Sequence, residues 1–474
     1  MSEKALFALA TLALTALLLV PIWQSEHPGL ADYPNHLARA HILVESQLHG
    51  REHAYYEVRH AFVPNLALDV AVPLLAAAGL STQDAMRVFT AAALLMPVAG
   101  TLALAWALQR AVPWLALLAF ALAYSRYFAW GFLNYFFSIG IALLALAVWI
   151  RWRAAAPLFV LGLLALASHL MGFGVLAALV AAHELWRRER RGALAAGLAL
   201  GACAALYLVF AERALPLTFA WNDGLLTRLQ HLASPWIAYE PVTGALVAAA
   251  MLIVLRVLHR RGRLVLQPGW LPLAAVLAVL LVAMPSMIME SHFVAARLVV
   301  VLALVLLACA ALRAGWQAKL GVAALAVALA GTKVAEVSTV WSRWAAELPD
   351  YRRVVAAIPT QARVAWVVFG PHRGPYPARH AAAFAVIERE AFVPSFFGFP
   401  FNGESVAFRP AVRPLVELWI RDDVVVKPGS RAPPWAPLCG AYDVLLVIGE
   451  PPNLPDCSSP LAIGGRAALY TLRK

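Results

Sequence analysis

Charge is what this sequence has least of. Of its 474 residues only 14% are Asp, Glu, Lys or Arg, against 62% hydrophobic, and the mean hydropathy is +0.74. That balance excludes an ordinary soluble domain and is the composition of a polytopic membrane protein. Acidic residues are scarcer than basic ones, 26 against 38. The excess does not form a nucleic-acid-binding face. It falls in short clusters between apolar runs, at Arg151 and Arg153, Arg187 to Arg191, Arg260 to Arg263, and Arg313 with Lys319. Clusters so placed follow the positive-inside pattern, so topology explains the charge and no nucleic-acid partner is expected. Cysteine is scarce too, with four in the chain. No zinc-like spacing, phosphate-cradling glycine loop or dinucleotide fingerprint appears after residue 340, which argues against a nucleotide-using enzyme.

Hydrophobic runs, by contrast, are abundant. Against an expected span length of about 17–25 residues, they lie at 5–23, 87–108, 113–127, 132–150, 194–211, 244–257, 271–288, 293–311 and 321–337. The stretch 157–186 is long for one span and too short for two full ones, and both its flanks are basic. A hairpin of two short helices, turning near Ser168, His169 and Leu170, is expected there. About eleven spans result, with the N-terminus cytoplasmic and the C-terminus outside. The run 66–80 carries Asp69, Pro73 and Gly79, and if it crossed it would invert every later basic cluster. It is expected to be a re-entrant or interfacial helix in a long first outer loop, 24–86. No small-x-small cleavage site follows the first span, which reads as an uncleaved signal anchor.

Composition shifts near Val340. The remainder has ordinary polarity and many prolines. Short β-rich runs at 363–369, 442–448 and 467–472 predict strands, and 381–391 a helix or a strand. About 130 residues suffice for one small α/β domain. The expected architecture is therefore mainly α. A transmembrane bundle, 1–340, contains the outer loop 24–86 and is followed by an extracytoplasmic α/β domain, 341–474, in a bacterial inner (plasma) membrane. Cys203 and Cys309 fall inside spans, where cysteine behaves as a small hydrophobe. Cys439 and Cys457 are the two in the tail, where an oxidising compartment allows a disulfide; two unrelated thiols are the alternative.

The candidate site is the segment 31–41, ADYPNHLARAH, just after the first span. A carboxylate, two histidines and an arginine at a membrane face mark a functional site by default. Asp32 can cap a helix whose first turn contains Pro34. Helical spacing then puts Asp32, His36 and Arg39 on one face, and Leu37, His41, Val44 and Leu48 on another. Such a trio can act as a general base, bind a cation or grip a phosphate. The bland alternative is a capping Asp32, an Arg39 among lipid headgroups and solvated histidines. Further candidates are Arg126, among aromatics that also suit an interfacial belt, and Glu290, His292 and Arg297 in the turn 289–297. Arg297 lies one turn inside an apolar helix, where a charge must snorkel, pair or meet an anion. Asp69 and Glu290 are secondary acidic candidates.

The chain resembles the GT-C superfamily of membrane glycosyltransferases, which use polyprenyl-phosphate-linked sugars. The resemblance is carried by one span followed at once by an acidic residue in a long outer loop (LADYPNHLAR, 30–39), by the many spans, and by the external C-terminal domain. It implies that Asp32 is the catalytic base of an inverting transfer, with His36 beside it. Arg39, Arg126, Arg297 and His292 would then face the donor phosphate. Many members carry two adjacent acidic residues there, whereas Tyr33 follows Asp32 here; Glu26 or Asp69 could supply a second carboxylate from the same loop. A divalent metal is the cofactor the resemblance allows. The implied partners are the bilayer, a polyprenyl-phosphate sugar and an acceptor hydroxyl on a glycan, lipid or protein. Two other readings stay open: a transporter or flippase of a lipid-linked or anionic substrate, and a non-catalytic membrane scaffold.

Overall fold

A computed structural model describes the chain except residues 1, 61, 211–217, 289–290, 370–373, 399–404, 421–424, 427–434, 436, 452 and 474, and the side chains of 419, 420, 425 and 426. It divides into two compact units, the first made of Met1–Gln24, Ala61–Leu68 and Val88–Ser338, the second of Ser25–His60, Asp69–Arg87 and Thr339–Lys474. The division is not a single cut at 340. Most of the first outer loop, with Asp32 in it, groups with the C-terminal residues.

The first unit is helical because its Ala- and Leu-rich runs must satisfy every backbone group internally to lie in lipid. Seven helices among the described residues are long and apolar enough to cross a membrane: Glu3–Gln24, Thr82–Gln109, Leu133–Trp152, Leu170–Arg187, Arg190–Phe210, Pro241–Arg260 and Trp316–Ala356. Ala155–Ser168, Trp270–Ala283 and Val294–Cys309 are shorter apolar helices. The run expected as a span at 113–127 is instead a 3-10 helix, Trp114–Leu122, with all nine residues buried. At about 2.0 Å rise per residue it covers only about 18 Å, and its surroundings are protein rather than lipid. Ala67–Ala77 is an 11-residue helix containing Pro73, about 16 Å long and too short to cross. The helices Ala155–Ser168 and Leu170–Arg187 meet at His169, whose Nδ1 accepts the Met171 N–H at 3.1 Å.

Close packing in this unit depends on small residues. A Cβ at Gly100 would lie 2.5 Å from the Gly140 carbonyl oxygen, so the helices that carry these two glycines touch backbone to backbone. The basic clusters share one end of the unit. Lys319 pairs with Glu3 at 2.7 Å, the Arg313 N–H donates to the Arg263 carbonyl at 2.7 Å, and Leu264–Leu266 pairs antiparallel with Ala310–Leu312. Inside the last helix, Lys333 and Glu336 form a buried pair at 2.6 Å. Glu336 also accepts the backbone N–H groups of Tyr239 and Glu240, both at 2.8 Å, which caps the start of Pro241–Arg260. That pair holds helices together.

The second unit is α/β. Its five-stranded sheet runs Ser458–Gly464, Ala467–Leu472, Val444–Ile448, Val364–Phe369, Val425–Val426. Val364–Phe369 and Val444–Ile448 are parallel neighbours and buried along their whole length, as continuous apolar runs covered on both faces should be. The segment 381–391 is helical, a 3-10 turn Pro377–Ala383 leading into Phe384–Arg389. Cys439 and Cys457 are joined by a disulfide. The composition boundary near Val340 falls inside the 41-residue helix Trp316–Ala356, because polarity can change along a helix without ending it. The loop helix Tyr33–His49 belongs to this unit and packs against both helical pieces of 377–389. Tyr56–Val58 adds an antiparallel pairing with Val406–Phe408.

Candidate functional site

The chain enters the candidate site over a tight contact. A Cβ at Gly29 would lie 2.6 Å from Cδ1 of the buried Trp341 ring, so only glycine fits there. Three residues later Asp32 takes the N-cap position of Tyr33–His49, with Pro in the first turn. Its conformation is helical (φ −90°, ψ −3°) and its side chain makes no capping hydrogen bond. The expected cap is therefore not made. The carboxylate turns instead to the C-terminal part of the unit, where Oδ1 lies 3.3 Å from Nε2 of His380. Burial lowers the His380 imidazole below its ordinary value, and the hydrogen bond and charge of Asp32 oppose that shift.

The spacing of Asp32, His36 and Arg39 along one helical face is realised, and each meets a different partner. The His36 ring stands edge-on to Phe397 with centroids 5.7 Å apart, and Phe397 meets the His380 ring at 5.3 Å. Trp366 packs edge-on to His380 at 5.9 Å, and its Nε1–H donates to Ser395 Oγ at 2.6 Å. Asn35 Nδ2 donates to the Ser395 carbonyl at 3.2 Å. Asp32 thus sits in a buried, mostly aromatic frame.

Arg39 is fully buried, and its Nε donates to Asp69 Oδ1 at 2.8 Å. The other Asp69 oxygen accepts from the hydroxyl and the backbone N–H of Ser405. Two sequence-derived candidates, Arg39 for a donor phosphate and Asp69 as a second acid, are therefore engaged with each other. The physical reason is burial: a guanidinium with no exposed surface must have a carboxylate partner. Glu26 is exposed and lies 3.5 Å from His27 and 3.8 Å from Arg352. Among the described residues no three of His, Cys, Asp and Glu are grouped to hold a metal ion. Glu290 lies outside the described residues.

The remaining candidates belong to the first unit. Arg297 is buried near the start of Val294–Cys309. Its guanidinium lies 3.8 Å above the Phe132 ring and 5.6 Å from that of Tyr135, and Nη2 donates to the His292 carbonyl at 2.6 Å. The Tyr135 hydroxyl donates back to the Arg297 carbonyl at 3.0 Å. Of His292 it is the backbone that meets Arg297, while the residue itself is exposed. Arg126 opens the short helix Arg126–Trp130, and its N–H donates to the Ser234 carbonyl at 3.1 Å. Sequence reasoning missed His380, Phe397, Trp366 and Ser405. None stands in a motif, and all lie in the tail beyond 340.

No protein-family model matches this sequence, and no curated protein sequence does. Solved structures do. The crystal structure of ArnT from Cupriavidus metallidurans in the apo state superposes with a TM-score of 0.53 at 11% identity, covering 99% of this chain and 98% of that one. The same protein bound to undecaprenyl phosphate gives 0.54 at 13% identity, with the same coverage. This chain shares its fold, from end to end, with that of ArnT.

Proposed function

We propose that this chain is a membrane glycosyltransferase of the GT-C type, which moves a sugar from a polyprenyl-phosphate carrier to an acceptor hydroxyl with inversion. The fold shared with ArnT, one of whose structures holds undecaprenyl phosphate, supports the class of enzyme and of donor. The observation that carries the assignment is Asp32, a carboxylate whose partner among the described residues is a single histidine. In the proposed step the acceptor oxygen bonds to the anomeric carbon while the bond from that carbon to the phosphate oxygen breaks. The hydroxyl proton passes to Asp32, and the bonding pair leaves with the polyprenyl phosphate. General-base help of this kind contributes ~10²–10⁴-fold.

A phosphate leaving group needs cationic stabilisation more than protonation. In the first unit we assign that role to Arg297, whose guanidinium is held on an aromatic ring. Arg126 and His292 remain secondary candidates, and Arg39 is assigned to the support of Asp69. By the positive-inside rule the basic end of the first unit is the cytoplasmic one.

The test is transfer from a panel of undecaprenyl-phosphate sugars in membranes carrying the wild-type chain, Asp32→Asn or Arg297→Ala at matched levels, with and without EDTA. We expect transfer in wild type and its loss in Asp32→Asn; sensitivity to EDTA would add a divalent metal. Full transfer in Asp32→Asn would remove the base assignment, whereas no transfer by the wild-type chain from any donor would favour the scaffold or transporter readings.

A further inference from the structure

We propose that His380 is a positioning residue for Asp32. Its Nε2–H holds one carboxylate oxygen, so that the other presents its lone pair in a fixed direction. The inference rests on the reading of Asp32 as the base.

The geometry carries it in three ways. First, Nε2 of His380 lies 3.3 Å from Asp32 Oδ1, while the opposite ring atom, Nδ1, is buried with no hydrogen-bond partner among the described residues. An ionised carboxylate beside Nε2 requires the proton there. A second proton on Nδ1 would be a buried donor without an acceptor, which is expensive. One neutral tautomer is thereby selected, the one that donates to Asp32. Second, the ring cannot turn freely. It is wedged between Phe397 and Trp366, and Trp366 is itself tied to Ser395, whose carbonyl accepts from Asn35. Asn35 lies on the helix that Asp32 begins, so the contacts close into a loop that starts and ends on that helix. Third, the backbone leaves helical values at His380 (φ −118°, ψ 25°), between two helical pieces, and this residue is the one that faces the carboxylate. The charged and titratable neighbours are Asp32 itself, Arg379 next in the chain, and His36 across Phe397.

A histidine that merely filled the core would need none of this directionality, and two substitutions separate the roles. His380→Gln keeps a donor N–H at similar reach but loses the ring. His380→Phe keeps the ring against Phe397 and Trp366 but loses the donor.

The first experiment is nitrogen NMR of the full chain in lipid nanodiscs with labelled histidine rings, using His380→Gln to identify the His380 signals. The expected spectrum shows Nε2 protonated, Nδ1 bare, and an Nε2 resonance that moves in Asp32→Asn. A proton on Nδ1, or no response to Asp32→Asn, overturns the proposal. Turnover with undecaprenyl-phosphate sugars then tests the consequence. His380→Phe should lose ~10–100-fold in kcat, as a small misplacement of a reacting group does, with KM nearly unchanged. The acid limb of its pH profile should move up, because a carboxylate that loses a donor binds its proton more tightly. His380→Gln should retain most of the wild-type kcat. A His380→Phe enzyme equal to wild type, beside an inactive Asp32→Asn, overturns the positioning role and leaves the base assignment standing. Equal losses in both His380 variants with lowered melting temperatures would mark a packing role and also overturn it. An active Asp32→Asn would overturn the base assignment itself.

Discussion

The loop helix Tyr33–His49 touches two aspartates, and the protein treats them in opposite ways. Asp69 is held on both oxygens, one by Arg39 at 2.8 Å and the other by Ser405, with both charged side chains almost without exposed surface. Asp32 has one neutral-type partner, His380, at 3.3 Å, and sits among aromatic rings. A carboxylate with both oxygens engaged is a clamp, because another proton or ligand must compete with the partners already there. A carboxylate with one oxygen directed and the other less engaged can still take a proton. Both acids were candidates for chemistry from the sequence, and the structure divides them by how fully each is satisfied.

The largest expected effect breaks the comparison on the side of Asp32. Asp32→Asn should lower transfer by ~10²–10⁴-fold while leaving thermal unfolding of the second unit nearly unchanged. Asp69→Asn should do the reverse, with the damage appearing in folding and yield. Measuring both variants for turnover per folded molecule and for melting temperature checks the division. Two variants with the same profile would erase it. The next effect sharpens the account of Asp69. Arg39→Met leaves a buried charge without its partner, which costs on the order of 3–5 kcal/mol. The double substitution Arg39→Met with Asp69→Leu removes both charges and should recover much of that loss, since a buried pair is weak net support. Chemical unfolding of the three proteins gives the comparison directly.

The legible parts of this molecule were those governed by local pattern. Of about eleven spans expected from apolar runs, seven are helices long enough to cross among the described residues; Ala155–Ser168, Trp270–Ala283 and Val294–Cys309 are shorter, and Trp114–Leu122 follows a buried 3-10 path that does not reach across. Helical spacing placed Asp32, His36 and Arg39 on one face, and the structure keeps them there. Which partner each would meet was not legible. His380, Phe397 and Ser405 come from the far end of the chain and carry no motif, so nothing at i+3 or i+4 reports them. The Arg39–Asp69 pairing was hidden for a related reason. Each residue looked like a free functional group because its burial depends on tertiary contacts that a single sequence does not encode locally. The capping role expected of Asp32 failed on a local detail, since its backbone is already helical at that position.

The smallest effect guards the comparison against a false reading in acid. Activity that falls as pH drops could be assigned to protonation of Asp32, yet the second unit also contains histidines that resist charging. Burial pushes the imidazoles of His27 and His53 down to about 4, from an ordinary value of about 6.5. Folded, they stay neutral; unfolded, they take up protons below pH ~6.5. The unfolded state therefore binds more protons across the window from about 6.5 to about 4, and stability is lost as pH falls through it. At pH 5.5 this amounts to roughly 1 kcal/mol for each histidine. His27 packs against Phe384 with centroids 5.1 Å apart, and its Nδ1 has no hydrogen-bond partner among the described residues, so His27→Phe should fit with little disturbance. That variant should flatten the acid dependence of melting temperature by its own share and leave the acid limb of turnover where it was. If the limb moves together with the melting curve, acid inactivation reports unfolding and says nothing about the Asp32 proton. If only the melting curve moves, the limb reports a step of turnover and not unfolding of the second unit.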